Sequence, residues 1–276
     1  MIVSVTPEDA ATVILLREPP VEAGEGFEVL MVLRHARSQF VPDAFVFPGG
    51  KLDADDCRGD WGEFCRGITL VSARERLEKS PSPERALGAW VAGIRETFEE
   101  AGILLAANRD GSPVHSHAPA DNERYSRLRR DLIENRRSFI DMIREESLFL
   151  AADDLHYFSH WITPELLPIR YDVRFFVAKA PPHQSADHDG VEVIKHIWRT
   201  PRAILSDFRS GRFNMVLPTR VTIETLAGFQ TIDEVITSTE NKKINGILTT
   251  LADVDGQIVE YLPDGTAYRH LPPTIL

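Results

Sequence analysis

The chain has 276 residues, of which 43% are hydrophobic, and a formal net charge of −11. This length and composition are sufficient for a sizeable buried core, which excludes a mainly disordered protein. The acidic balance argues against a nucleic acid or an anionic membrane as the main partner, because both favour a basic surface. A phosphate-bearing ligand would therefore have to be met by local cationic groups.

Cysteine usage and hydropathy bear on the compartment. Cys57 and Cys65 are separated by seven residues and have no nearby histidine pairs, so they predict neither a zinc site nor a disulfide framework. The first ten residues lack a basic leader followed by an apolar core, and no run of about 18 apolar residues occurs. We therefore expect a reduced, cytoplasmic setting.

The first predicted element is a pair of strands over 11–16 and 27–33, joined across a turn from 19 to 26 that is rich in proline, glycine and glutamate. Arg34 and Arg37 follow the second strand directly. An arginine fork matches the oxygens of a phosphate group, so these side chains are candidates for substrate binding. Simple solvation at the surface is the alternative.

A third predicted strand, 44–47, runs directly into Pro48 and the pair Gly49 and Gly50. Two adjacent glycines let the backbone turn sharply and approach another element or a ligand closely. The aromatic residues of the following segment, 54–82, predict short helices that pack back on the body of the protein.

The next predicted helix begins near 83, after a Ser-Pro start signal, and ends near Gly102. Its apolar residues fall three and four positions apart and predict one packed stripe, formed by Val91, Ile94, Phe98 and Ala101. Three acidic residues project from the other side, namely Glu96, Glu99 and Glu100. One face should therefore pack while the other gathers negative charge.

Like charges four positions apart on a helix, as at Glu96 and Glu100, destabilise it by about 0.2–0.5 kcal/mol per pair, so a compensating cation is expected. Carboxylate oxygens without nearby histidine or cysteine suit Mg²⁺ or Mn²⁺, and Mg²⁺ commonly also contacts substrate phosphate. A Glu-rich helix face that is merely solvated is the alternative. The neighbouring glycine turn favours the metal site.

The remaining elements are predicted by the same rules. Segment 121–150 predicts two amphipathic helices, which are a candidate lid, homodimer contact or structural cover. The later predicted elements are strands 155–162 and 171–177, helices 200–208, 218–229 and 231–239, and a terminal hairpin over 257–261 and 267–269.

These residues resemble the box of the Nudix hydrolase family. Its second half matches at Arg95, Glu96, Glu99, Glu100, Gly102 and Ile103, and its opening glycine matches Gly50. Three departures occur. Thr97 replaces an apolar residue, Asp56 occupies the position of the box's first glutamate, and 44 residues separate Gly50 from Arg95. Such an insertion within the box is similar to the subfamily that includes peroxisomal-type coenzyme A diphosphatases.

The resemblance implies an α/β/α sandwich around a mixed β-sheet. It implies a single domain over 1–276, with an insertion at 54–82, a helical insertion at 121–150 and a C-terminal extension at 200–276. It also implies a hydrolase that cleaves a diphosphate linkage in a nucleoside diphosphate derivative, with Mg²⁺ or Mn²⁺ held by the three glutamates.

For the remaining site residues, the resemblance implies that Arg95 orients the carboxylates. It implies a further acid before a tryptophan, a position that Glu192 occupies, with Asp189 second; Glu99, Glu192 or another acid would be the general base. Gly49, Gly50 and Gly102 would shape the loops around the site.

Coenzyme A or acyl-coenzyme A is the substrate that the subfamily implies. However, Gln39 and Asp43 stand where other coenzyme A enzymes of the family carry arginine and glycine. ADP-ribose, dinucleotides, NADH and nucleoside triphosphates therefore stay open as substrates, and a non-catalytic Nudix-fold nucleotide sensor stays open as a different class of protein.

Overall fold

A computed structural model describes residues 5–20, 26–38, 41–77, 79–114, 119–188, 190 and 192–269. Gln39 and Asp189, both singled out by the sequence, lie outside the described residues. No helix in the described part of the chain is both long enough and apolar enough to cross a membrane.

The structure contains strands in three sheets. In chain order they are β1 (Glu8–Arg17), β2 (Glu28–Arg34), β3 (Phe45–Val46), β4 (Gly49–Lys51), β5 (Ala106–Ala107), β6 (Phe149–Leu150), β7 (His156–Ile162), β8 (Tyr171–Lys179), β9 (Val193–Arg199), β10 (Gly246–Leu248), β11 (Thr250–Val254), β12 (Gln257–Tyr261) and β13 (Ala267–Arg269). The helices are α1 (Leu70–Arg76), α2 (Pro83–Ala101), α3 (Pro119–Ile133), α4 (Phe139–Glu145), α5 (Pro201–Arg209), α6 (Leu217–Leu226) and α7 (Ile232–Thr237).

The main sheet has eight strands among the described residues, in the order β10-β7-β8-β1-β2-β3, with β4 beside β1 and β9 beside β2. β1 pairs with β8 in parallel and with β2 and β4 in antiparallel, so the sheet is mixed, as expected. The predicted strands at 11–16, 27–33, 155–162 and 171–177 are confirmed, with ends that differ by at most three residues.

Alternation along β1 explains how one strand serves two cores. Val13 and Leu15 point to the face covered by α2, whereas Ile14 and Leu16 point to the face covered by α5, α6 and α7. All four side chains are fully buried, because successive side chains of a strand point to opposite faces of the sheet. The α/β/α sandwich expected from the sequence is confirmed.

Helix α2 is fixed at both ends by the residues that the sequence marked. The Ser82 hydroxyl accepts a hydrogen bond from the backbone N–H of Arg85, and Pro83 occupies the first turn. At the other end Gly102 adopts a left-handed conformation with φ of 69°, which glycine does without steric cost. The positions of the glutamates of α2 are therefore fixed relative to the elements that pack beside the helix.

Segment 54–82 folds back onto this helix, as its aromatic residues predicted. Trp61 is 1% exposed, and its ring lies 5.5 Å from that of Phe139 at the start of α4. Helices α3 and α4 confirm the two helices predicted for 121–150. These elements pack against the face of α2 that turns away from the sheet.

The C-terminal strands do more than form the predicted hairpin. The antiparallel pairing of β12 and β13 confirms that hairpin, and β11 adds a third strand to it. β10 runs parallel to β7 at the edge of the main sheet, with Ile247 opposite Trp161. This pairing places β10, from the C-terminal part of the chain, beside β7, from the middle of the chain.

Candidate active site

The glycine turn lies directly against α2. Gly49 and Gly50 pair with Thr12 and Ala11 of β1. The backbone N–H of Gly49 donates to Glu100 Oε2 at 2.9 Å. A Cβ atom at Gly50 would lie 2.4 Å from Glu96 Oε1. Only glycine lets the strand approach the glutamates this closely.

Arg95 is the centre of the charged cluster on α2. Its Nε donates to Asp56 Oδ1 at 3.0 Å and its Nη2 donates to Asp56 Oδ2 at 2.8 Å. Its Nη1 donates to Glu96 Oε1 and to Glu99 Oε2, both at 2.9 Å. One guanidinium thus orients three carboxylates, and an Arg–carboxylate fork adds geometric specificity to the pair.

Asp56 explains one departure from the family pattern. It is 1% exposed and takes the buried side of the Arg95 guanidinium, leaving Nη1 for the two glutamates. Burial lowers the pKa of Arg95, but the hydrogen bonds of Asp56 and the charges of the glutamates outweigh it, so the net pKa lies above the ordinary value. The sequence alone did not indicate this role for Asp56; its position six residues after Gly50, where the family box has its first glutamate, was the available signal.

The three glutamates are more buried than the sequence indicated. Glu100 is 3% exposed and Thr97 is fully buried, so the side of α2 that gathers the negative charge is itself largely covered. β4 covers the acidic side because its glycines allow close contact. The carboxylates are therefore enclosed between the helix and the glycine turn.

The enclosure between α2 and the glycine turn changes the pKa values of the glutamates. Burial is the main cause that raises the pKa of Glu96 to about 7, against the opposing charge of Arg95. Burial and the neighbouring Glu96 hold the pKa of Glu100 well above its ordinary value. Nearby positive charge favours the ionised form of such carboxylates. The electrostatics at this position therefore fit a cation.

The carboxylates of this cluster have the donor chemistry of a divalent-metal site. Among the described residues, no three acidic, histidine or cysteine side chains already converge on one point as a metal cage, since Glu96 and Glu99 are turned toward Arg95. The donors are nevertheless hard carboxylate oxygens on adjacent turns of one helix, which is the donor chemistry that Mg²⁺ and Mn²⁺ prefer. The residues present fit such an ion.

A cavity of about 730 Å³ opens beside these glutamates, within the usual size range of small-molecule sites. Its charged lining residues are Arg34, Lys51, Asp53, Arg95, Glu96, Glu99, Glu100, Glu192 and Glu260. Most other lining residues are apolar and come from β7, β8, the loop between them and the start of α6. The cavity therefore has a charged part next to α2 and an apolar part farther along the sheet.

The remaining predicted site residues take different positions. Arg34 lines the cavity, and its buried Nε has no hydrogen-bond partner among the described residues. Arg37 is exposed and does not line this cavity. Glu192 lines it, and its backbone carbonyl accepts from the N–H of His35 at 2.9 Å. Gly102 ends α2 outside the cavity lining, where an added Cβ would lie 3.1 Å from Arg129 Nη1.

Comparison with known proteins matches this chain to the NUDT19 Nudix domain model over residues 7–89 and 68–224. Similar curated proteins are the acyl-coenzyme A diphosphatases NUDT19 of Xenopus laevis and Gallus gallus. The first is 28% identical and the alignment covers 89% of this chain and 72% of the relative. The second is 27% identical over 89% of this chain and 74% of the relative.

A solved NUDIX hydrolase from Alicyclobacillus acidocaldarius is similar in fold. Its TM-score is 0.66 at 21% sequence identity, and the match covers 87% of this chain and 99% of that chain. This likeness supports the α/β/α arrangement described above.

Proposed function

This chain belongs to the NUDT19 Nudix domain family of hydrolases, and from that premise we propose that it is a divalent-metal-dependent diphosphatase of coenzyme A or acyl-coenzyme A. The observation that carries the proposal is that Glu96, Glu99 and Glu100 line one cavity together with Arg34. The carboxylates that would bind a metal ion and the cationic group that would bind a diphosphate therefore line the same cavity.

The three glutamates would hold Mg²⁺ or Mn²⁺. When bound, such an ion neutralises diphosphate oxygens and lowers the pKa of a bound water. The N–H of Gly49 fixes one carboxylate oxygen of Glu100. Arg95 fixes one oxygen each of Glu96 and Glu99, so both side chains are held in place before substrate arrives.

Arg95 acts in this proposal as a positioning residue. Its fork is occupied by Asp56 and the glutamates, and it is 8% exposed. The Arg34 guanidinium, which lines the cavity, would meet the substrate phosphate instead. Arg37 stays a predicted second phosphate contact.

The proton of the attacking water requires an acceptor on the same wall of the cavity. Glu99 and Glu192 both line it, and a carboxylate within hydrogen-bond reach of the water is suited to that step. We assign the base to this pair. Charge stabilisation supplies most of the catalysis, because phosphoryl transfer leaves little covalent work to protein groups.

Two observations support coenzyme A or acyl-coenzyme A as the substrate. The curated relatives in frog and chicken carry the name acyl-coenzyme A diphosphatase. The cavity also extends well beyond the glutamates along an apolar wall, which an acyl or pantetheine arm would cover. Hydrolysis of the diphosphate would release adenosine 3′,5′-bisphosphate and a phosphopantetheine.

The experiment that tests the proposal is a hydrolysis screen with Mg²⁺ and with Mn²⁺, in which products are identified by mass. The panel contains coenzyme A, acyl-coenzyme A, ADP-ribose, NADH, diadenosine polyphosphates and nucleoside triphosphates. We expect the strongest turnover for coenzyme A or its acyl derivatives, with two phosphorylated products. A preference for ADP-ribose or NADH would overturn the substrate, and no turnover with either metal would favour a nucleotide sensor.

A further inference from the structure

The helical insertion at 121–150 supplies an arginine to the end of the helix that carries the glutamates. Arg129 lies on α3 and is 8% exposed. Its Nε donates to the backbone carbonyl oxygen of Glu99 at 2.8 Å. We propose that Arg129 is a positioning residue for the metal site, and that it acts by fixing the last turn of α2 through this carbonyl. The inference rests on the proposed function, since the glutamates of that turn are the proposed metal ligands.

The C-terminal end of α2 takes its partners from outside the helix, because the last carbonyl groups of a helix have no partner within it. The Glu99 carbonyl accepts from Arg129, and the Ala101 carbonyl accepts from the backbone N–H of Asp187 at 2.9 Å. The last turn of α2 contains no basic residue of its own, and a cation at this end stabilises a helix. α3 therefore supplies a charge and a hydrogen-bond donor that the last turn of α2 lacks.

Glu99 is thereby held at two points. Its side-chain Oε2 accepts from Arg95 Nη1 at 2.9 Å, and its backbone carbonyl accepts from Arg129. Glu100 follows in the same turn, and its Oε2 accepts from the N–H of Gly49. A shift of this turn would move both carboxylates, and a metal site needs its ligands held within about 0.5 Å of the productive geometry. The position of the last turn of α2 therefore bears on metal affinity.

Gly102 makes room for the Arg129 guanidinium. It directly follows α2 with φ of 69°, a conformation that glycine adopts without steric cost. A Cβ atom at this position would also lie 3.1 Å from Arg129 Nη1. Glycine here therefore serves two requirements, since it ends the helix and it lets the arginine of α3 reach the Glu99 carbonyl.

Arg129 does not line the cavity that contains the glutamates, whereas Leu132 and Ile133 of the same helix do. Its effect on the reaction therefore passes through Glu99 rather than through a contact with substrate. The sign of that effect separates position from charge. A positive charge near the site repels a metal ion, so loss of the charge alone would tighten metal binding, whereas loss of the fixed carbonyl would weaken it.

The test measures Mn²⁺ binding by electron paramagnetic resonance in the absence of substrate. Arg129→Met removes the charge and the donor, whereas Arg129→Gln removes the charge and keeps a donor, because its Nε2 takes the chain position of the arginine Nε. We expect Arg129→Met to bind Mn²⁺ about 3- to 30-fold more weakly than wild type and Arg129→Gln to stay within about threefold. Arg130→Met is the matched control, because Arg130 is the exposed neighbour on α3.

Leu128→Ala tests for a merely structural role, because Leu128 is a buried apolar residue of the same helix. We expect this variant to lower the melting temperature and to keep the Mn²⁺ affinity of wild type. Excess Mg²⁺ should restore kcat for coenzyme A hydrolysis in Arg129→Met, because the defect lies in metal binding. Excess metal would not restore a variant whose fold is damaged.

A measurement on wild-type protein keeps the test independent of any effect of substitution on folding. Mg²⁺ should shift the Arg129 Nε–H resonance, which is assigned by its absence from Arg129→Gln, because the acceptor of this N–H belongs to a metal ligand. An unchanged resonance, equal or tighter Mn²⁺ binding by Arg129→Met, or the same loss in Arg129→Gln or Leu128→Ala would overturn the inference. Weaker Mn²⁺ binding by Arg129→Met in a protein that hydrolyses no coenzyme A would refute the proposed substrate and leave the role of Arg129 standing.

Discussion

Arg95 and Asp56 lie 39 positions apart in the chain and form a two-pronged ion pair in which Asp56 is 1% exposed and Arg95 is 8% exposed. Burial raises the pKa of Asp56 even with Arg95 beside it, because removing a charge from water is costly. The pair is maintained by two separate segments of the chain, and it holds the guanidinium that orients Glu96 and Glu99.

Replacing Asp56 with Asn should leave Arg95 without its buried countercharge. Breaking a buried pair at one partner costs about 3–5 kcal/mol, so we expect a loss of this size in the free energy of unfolding, measured in urea. Asp60→Asn is the control, because Asp60 pairs with Arg58 at the surface and such pairs contribute about 0–1 kcal/mol. Equal stability of the two variants would contradict the structural role of Asp56.

Replacing Gly50 with Ala should disturb the site through a steric clash. The new Cβ would lie 2.4 Å from Glu96 Oε1, and overpacking of this kind costs about 1–3 kcal/mol. We expect lower hydrolytic activity and a lower melting temperature.

The control for the Gly50 variant is Gly59→Ala, since a Cβ at Gly59 meets no atom within 4 Å. Its activity and melting temperature should stay close to those of the wild type. A fully active Gly50→Ala variant would show that the close contact between β4 and α2 is not needed for catalysis.

Arg34 and Arg37 can be separated by two single substitutions. Arg34 lines the cavity and Arg37 does not. Hydrogen bonds to charged groups contribute about 1.5–3 kcal/mol, so Arg34→Ala should lower kcat/KM at least about tenfold. We expect a smaller effect for Arg37→Ala. A larger loss of kcat/KM for Arg37→Ala than for Arg34→Ala would place the phosphate contact outside the cavity.

A pH-dependent contribution to stability is expected at Asp172. Burial raises its pKa, but hydrogen bonding to His160 and the charge of Arg174 outweigh this and lower the net pKa below its ordinary value. A lowered folded-state pKa stabilises the protein above the unfolded-state pKa of about 3.9 and loses that effect as the pH falls through the folded-state value.

Asp172→Asn should therefore reduce the free energy of unfolding at pH 6, and its difference from wild type should shrink below about pH 4. Urea unfolding of both proteins across this range measures the difference. If the difference in the free energy of unfolding between the two proteins is constant with pH, the ionisation of Asp172 does not contribute to stability.

Local patterns in the sequence were sufficient for most elements near the site. Ser82 and Gly102 mark the ends of α2, a nearly continuous apolar run marks β1, and a short alternation followed by an apolar run marks β8. These features depend on neighbours within a few positions. For that reason they could be predicted without knowledge of the rest of the chain.

The relationships that were missed are non-local. The burial of Glu100 depends on β4. Gly49 of that strand lies 51 positions before Glu100 in the chain, so the sequence of the helix alone does not indicate this contact. The edge of the main sheet depends on the parallel pairing of β10 with β7, which places Ile247 beside Trp161. No periodicity within either strand indicates which partner it will find.

The measurement that tests the proposed chemistry most directly is coenzyme A hydrolysis by a variant with both Glu99→Gln and Glu100→Gln, assayed across a Mg²⁺ titration. Glu75→Gln on α1 is the control, because Glu75 is exposed and outside the cavity lining. We expect the double variant to remain folded by circular dichroism and to lose Mg²⁺-dependent turnover, while the control retains it. Unchanged turnover in the folded double variant would contradict the assignment of these glutamates as the metal site.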